Sequence, residues 1–330
     1  MKEPNVLCIG FAKCGTTTLY DIFKQHKDIY LSNIKEPLFW GNQLLESRGY
    51  EWYLDRYYHF ANKDVVMEIN PIIGKYKTAE EIKSNYPANT KIVIMIRNPI
   101  QRLYSNFKMN LIDGTSFHTI KDNLTDSTSM SFEKWLFDEY VSYDSSDKVS
   151  FVSQPRMYKN GNYFNVIHNY INTFEKENVK IIFFEDFIKD TKKVCEDLMN
   201  FIGVENDKSI NYDIHSNSGN RLPLNEESIK ILNFIFKNII YNLEITPFIK
   251  NEKYDKLINI ISWKLFDIFS KKTINDKVTD LSYNILSLYY NEMLALLCNE
   301  LNKDLYSKWG IDKDEKQIYV KIKQSREKMR

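Results

Sequence analysis

A chain of 330 residues, 43% of them hydrophobic, can bury one large core or two small ones. Its formal charge of +1 gives no overall attraction for nucleic acid, so a basic site for an anionic ligand has to be local. The four cysteines, Cys8, Cys14, Cys195 and Cys298, are too far apart for a disulfide framework and lack the paired spacing of a zinc site, which points to a reducing compartment. No stretch approaches the roughly 20 uninterrupted apolar residues of a membrane span, and Ile285 to Leu297 is broken by polar groups. The first apolar run, Val6 to Phe11, leads into Gly, Lys and Thr, unlike a signal peptide. The expectation is a soluble, cytoplasmic protein.

In chain order, Val6 to Ile9 predicts a short buried strand, Gly10 to Gly15 a turn, and Leu19, Ile22 and Phe23 a helix. Val65 to Met67, Ile92 to Ile96 and Val179 to Phe184 predict further strands with helices between them, which implies a parallel sheet. Pro99 suits the first turn of a helix carrying Arg102, Ser105 and Lys108. Asp122 to Ser129 reads as a surface loop. After about residue 225 the pattern turns helical, with Ile229, Leu232, Ile235 and Phe236 on one stripe and Leu286, Tyr289, Met293 and Leu296 on a later one. With neither repeat nor Gly/Ser linker, residues 1–330 are expected to form a single domain with a mostly helical C-terminal part. Lys313 to Arg330 mixes bases, acids and isolated apolar residues, as a solvated terminal segment does.

The residues that carry chemistry begin at the first loop. Gly10-Phe11-Ala12-Lys13-Cys14-Gly15-Thr16-Thr17 keeps the two-glycine frame of a phosphate loop, but Thr16 stands where a nucleotide triphosphatase places its lysine. The glycines let backbone amides turn around an anion, the helix starting near Thr16 adds N–H groups and a positive dipole end, and Lys13 reaches in from within the loop. The strand from Lys91 to Ile96 ends in Arg97-Asn98-Pro99; Arg97 offers a planar fork of donors and Ser105 a small hydroxyl, so the two can hold a second phosphate. The alternatives are a plain strand-to-helix turn, a helix-capping arginine and a solvated serine. The five histidines, His26, His59, His118, His168 and His215, share no metal-like spacing and read as structural.

Phe11 to Leu19 and Arg97 to Ser105 resemble, in order and spacing, the two binding motifs for 3′-phosphoadenosine 5′-phosphosulfate (PAPS) in sulfotransferases. The likeness is nearest the glycan-type branch, which includes heparan sulfate N- and O-sulfotransferases and bacterial relatives. Gly161-Asn162-Tyr163, Ile181 to Phe187, Phe201-Ile202-Gly203-Val204 and Asp304 to Trp309 follow in the family's order. The resemblance implies an α/β, P-loop-like three-layer fold, with a central parallel sheet flanked by helices and a helical C-terminal region. It implies that Lys13, Cys14, Gly15, Thr16, Thr17 and Thr18 hold the 5′-phosphosulfate, and Arg97 and Ser105 the 3′-phosphate. Ser216 to Arg221 is similar to the loop that closes over the nucleotide, giving Gly219, Asn220 and Arg221 as ligands, although a cation usual before the glycine is missing.

Lys35-Glu36-Pro37-Leu38-Phe39-Trp40 resembles the family's Glu-x-x-Phe-Phe segment and makes Glu36 the expected general base, with Phe39 and Trp40 excluding water. Where relatives often read Glu-Lys-x-Pro, this chain has Glu68-Ile69-Asn70-Pro71. Either Lys13 alone then stabilises the leaving phosphate, or Lys35 or Lys75 adds a charge; Glu68 is a candidate second acceptor-binding acid. The expected reaction passes a sulfuryl group in line from PAPS to a hydroxyl or amine of a glycan or small metabolite, without metal, releasing adenosine 3′,5′-bisphosphate. A P-loop kinase or NTPase using Phe183-Phe184-Glu185-Asp186 for magnesium is one rival, and a catalytically inactive nucleotide-binding protein is another.

Overall fold

The computed structural model describes residues 2–32, 34–37, 39–40, 42–71, 73–76, 78–113, 131–133, 135–136, 161–214, 221–223, 270–273 and 277–328. They form two compact units, the first with described residues from Met1–Arg97 and Val166–Ser218, the second from Asn98–Asn165, Gly219–Asn233 and Asp267–Arg330.

The first unit is built on a parallel sheet of strands β1 (Val6–Gly10), β2 (Ile29–Leu31), β3 (Val65–Ile69), β4 (Lys91–Ile96) and β5 (Val179–Phe183), in the order β2-β3-β1-β4-β5. Continuous apolar runs such as Ile92-Val93-Ile94-Met95-Ile96 suit strands buried on both faces. Val6, Cys8, Met67, Ile69, Val93 and Met95 share one core cluster with Leu19, Ile22 and Phe23 of the helix Thr16–Phe23 and with Cys195, Leu198 and Met199 of the helix Thr191–Ile202. The alternate residues Leu7, Ile9, Val66, Glu68, Ile92, Ile94 and Ile96 are buried as well. Glu68 is the charged exception among them. The three-residue edge strand β2 has no counterpart in the sequence pattern, because Ile29-Tyr30-Leu31 is too short to carry a period. β5 stops at Phe183 and the next helix starts at once with Phe184, one residue before the expected strand end.

Strand order reverses about β1, so the carboxyl ends of β1 and β4 flank the crevice where open α/β sheets bind ligands. Gly10 permits the close approach of these two strands: a Cβ there would meet Ile94 Cγ2 at 2.6 Å. His26, just beyond the first helix, is buried between the Glu205 carbonyl, 2.9 Å from Nε2, and the Asp28 amide, which donates to Nδ1.

In the second unit the helix Pro99–Asp113 begins at the expected proline, and the Asn98 side chain accepts from the amides of Ile100 and Gln101 at 3.0 and 3.2 Å. Asn98 also donates to the Trp309 carbonyl at 3.0 Å. The helix Asp280–Leu301 corrects the later stripe. Leu286 and Met293 are buried with Tyr290, Leu294 and Leu297, whereas Tyr289 and Leu296 face outward. Buried Ser287 and Asn291 explain the misreading: Ser287 donates back to the Tyr283 carbonyl and Asn291 accepts from Tyr306, so small and polar residues occupy part of the packed face. The terminal segment forms the helix Glu315–Lys328, with Ile318 buried. Arg221–Pro223 (β6) pairs antiparallel with Ser270–Thr273 (β7). The expected stripe at Ile229 to Phe236 and the loop at Asp122 to Ser129 lie outside the described residues. Among the described residues no helix is long and apolar enough to cross a membrane.

Candidate functional site

The loop after β1 is shaped by its backbone. Phe11 donates its amide to the Met95 carbonyl at 2.8 Å, Lys13 takes a left-handed φ of 71°, and Gly15 one of 90°. Gly15 is required twice over. Its φ disfavours a side chain, and a Cβ would lie 3.0 Å from Phe184 Cδ2 and 3.4 Å from Phe187 Cδ1. Cys14 is fully buried, so only its backbone can serve a ligand. Gly15 then opens the helix Thr16–Phe23 without a side-chain cap, and there is no acid in the first turn. The leading N–H groups at Thr16, Thr17 and Thr18, together with the dipole, make this helix end suited to an anion. Thr16 is buried, while Thr17 and Thr18 are half-buried.

Arg97, at the end of β4, is drawn to the same loop. Its Nη1 donates to the Lys13 carbonyl at 3.4 Å and its guanidinium lies 4.4 Å from the centre of the Phe184 ring. Phe184 therefore backs Gly15 and supports Arg97 together. Lys13, Gly15, Thr16 and Arg97, picked from two distant stretches of sequence, meet at neighbouring strand ends. Ser105 sits half-buried on the helix Pro99–Asp113 of the second unit, where Arg102 is fully buried and Lys108 lies over the Tyr104 ring. Gly219 and Asn220 lie outside the described residues, and Arg221 opens the short strand β6.

The segment after β2 holds Glu36 in a left-handed conformation, φ 58°, with its carboxylate paired to the Lys35 ammonium. Lys35, Glu36, Tyr20, Ser32, Tyr58 and Glu68 line one cleft, with Ile69 on its wall. Burial pushes the Lys35 pKa down to about 8; Lys13 adds repulsion, while Cys8 and Asp21 oppose the fall. Lys35 is thus a partly buried cation close enough to feel Lys13. Ile69 is packed into the core. The Lys75 side chain lies outside the described residues.

Glu68 is committed inward. Its carboxylate accepts from Tyr53, from Tyr58 at 2.9 Å, from Tyr86 at 3.4 Å and from the Asn70 amide at 3.2 Å. Burial raises its pKa and these hydrogen bonds oppose the rise. Phe39 and Trp40 pack into this interior: Phe39 stacks on Tyr53 at 4.7 Å and the Trp40 indole donates to Tyr86 at 2.7 Å. They shield Glu68. The tyrosine shell has no counterpart in the sequence motifs, although a glutamate inside Val65–Ile69 signals one, since a buried carboxylate demands donors.

Residues 3–228 match the sulfotransferase domain model, and the chain belongs to that family of transferases. Among curated relatives, mouse carbohydrate sulfotransferase 15 is 22% identical over 246 residues, covering 61% of this chain and 44% of the relative. The bifunctional heparan sulfate N-deacetylase/N-sulfotransferase 1 of Caenorhabditis briggsae is 25% identical over 207 residues, 60% of this chain and 22% of its own. The chain thus spans less than half the length of either. A sulfotransferase structure from Alicyclobacillus acidocaldarius shares the fold with a TM-score of 0.50 at 24% identity, covering 73% of this chain and 94% of that one. Family membership disfavours the kinase or NTPase reading.

Proposed function

We propose that the chain transfers a sulfuryl group from PAPS to a hydroxyl or amine of a glycan or small metabolite, releasing adenosine 3′,5′-bisphosphate. The observation that carries the proposal is the anion cradle at the ends of β1 and β4: left-handed Lys13 and Gly15, an acid-free helix start, and Arg97 held on the same loop. These residues fit the anionic end of such a donor. Lys13 and the amides of Cys14 to Thr18 would bind its phosphosulfate, Arg97 and Ser105 the 3′-phosphate, and Gly219, Asn220 and Arg221 would close over the nucleotide.

Glu36 accepts the acceptor's proton as its oxygen or nitrogen bonds to sulfur. The bond between sulfur and the bridging oxygen breaks, its electron pair stays on the phosphate, and the ammonium groups of Lys13 and Lys35 balance the charge. Lys35 fills the electrostatic role that Ile69 cannot. A glycan acceptor is favoured by the names of the relatives, a carbohydrate and a heparan sulfate sulfotransferase. A cytoplasmic setting belongs to the same reading, supported by the free thiols Cys8, Cys14, Cys195 and Cys298.

Calorimetric titration with adenosine 3′,5′-bisphosphate, set against ATP plus magnesium, tests the reading on wild type and Lys13→Ala. Metal-independent binding of the bisphosphate, weakened by Lys13→Ala, is expected. A preference for magnesium-ATP would overturn it.

A further inference from the structure

We infer that Asn70 is the positioning residue for Glu36, latching its loop to the buried Glu68 carboxylate; the functional side of this inference rests on the sulfotransferase reading. The fully buried Asn70 amide nitrogen donates twice, to the Pro37 carbonyl at 2.9 Å and to Glu68 Oε1 at 3.2 Å. Pro37 directly follows Glu36. The other carboxylate oxygen of Glu68 is held by Tyr53 and Tyr58, both on the helix Tyr50–Tyr58, and by Tyr86 from a later stretch of the first unit. A chain of hydrogen bonds therefore runs from three buried tyrosines through Glu68 and Asn70 to the peptide beside the proposed base.

The upstream end of the loop is tied separately. Tyr20 donates to the Ser32 carbonyl at 2.6 Å, and the Ile34 amide donates to Ser32 Oγ at 3.2 Å. Between these anchors Glu36 holds a left-handed backbone, which costs a non-glycine residue of order 1–3 kcal/mol and persists only when its surroundings fix it. Ser32 fixes one side and Asn70 the other. Tyr20 belongs to the helix that starts at the anion loop, so the base is referred to the same element as the donor cradle. The two protons of the Asn70 amide divide the work of the latch. One reaches the loop while the other is held by a carboxylate that is buried and bonded to three tyrosines.

Hydrogen exchange on the full-length protein, with and without adenosine 3′,5′-bisphosphate, tests the latch directly. Asn70→Ala should speed exchange of the Lys35, Glu36, Phe39 and Trp40 amides about tenfold, as expected for one lost buried hydrogen bond, and leave those of Thr16 to Leu19 unchanged. PAPS turnover with a glucosamine oligosaccharide as probe should lose kcat with little change in the KM for PAPS. Asn70→Ser, which restores one donor, should recover part of the protection, and Asn70→Ala should add nothing to the kinetic loss of Glu36→Gln. Unchanged exchange at residues 35–40, or equal loosening of the anion loop, would overturn the latch. Failure of the wild type to bind the bisphosphate would instead count against the sulfotransferase reading, with the exchange result still deciding the latch.

Discussion

The two sides of the proposed site are built by opposite means. The donor side is mainly one loop, in which a glycine, a left-handed lysine and a helix start create the cradle within a few residues, with Arg97 from the end of β4 held against it. The base side needs β2, β3, the helix Tyr50–Tyr58 and Tyr86 to hold one half-buried carboxylate. A backbone cradle keeps its shape under side-chain change wherever φ and space are kept, even where a lost cation such as Lys13 weakens binding, whereas a side-chain relay fails at any link. The sharpest difference follows at Glu36. Replacing it with Gln should lower kcat by about 10²–10⁴, the usual share of a general base, and leave bisphosphate affinity intact. Equal losses in both would place Glu36 in donor binding and erase the contrast.

Lys35 stands between the two sides, paired to the base and repelled by the donor-loop lysine. Lys35→Met should cost about 10²–10³ in kcat if the ammonium balances charge on the leaving phosphate. With its pKa at about 8, the free enzyme loses this cation as pH rises through that value, so wild-type kcat/KM should fall on the alkaline side. In Lys35→Met that limb should vanish. A limb that survives belongs to another group.

At Gly15 the expected effect is smaller and confined to the donor side. Gly15→Ala puts a methyl against Phe184 in a left-handed position, a strain of order 1–3 kcal/mol. Bisphosphate affinity measured by calorimetry should drop about tenfold or more, with the loop about Glu36 unaffected. A variant that binds like wild type would show that Phe184 yields.

The same contrast explains what could be read in advance. β1, β3 and β4 announce themselves as apolar runs, and Lys13, Gly15, Thr16 and Arg97 are legible because a cradle made of backbone must keep its glycine and its spacing. Glu36 is singled out by its motif and aromatic neighbours, whereas the structure turns Phe39 and Trp40 inward to the Glu68 shell. Asn70 is not legible: its importance lies in a carbonyl 33 residues away, a contact only the fold creates. The stripe on Asp280–Leu301 misleads for a related reason, since buried Ser287 and Asn291 satisfy their polar groups internally and leave Tyr289 and Leu296 outside.

The mildest prediction concerns Glu68, through stability. Burial raises its folded pKa above the ordinary carboxylate range despite four hydrogen bonds. Between the unfolded and folded values the native state binds more protons than the unfolded chain, so stability falls as pH rises across that window. The stabilisation is therefore complete below the unfolded value and is lost as pH passes the folded one. Glu68→Gln removes the titration while keeping size, so denaturant unfolding of the two proteins should give curves that converge or cross as pH increases, with wild type losing ground. Parallel curves would mean that the tyrosines hold Glu68 ionised at an ordinary pKa. In that event the latch on Asn70 would be anchored by a fixed charge throughout, and the base side would be no more sensitive to pH than the donor loop.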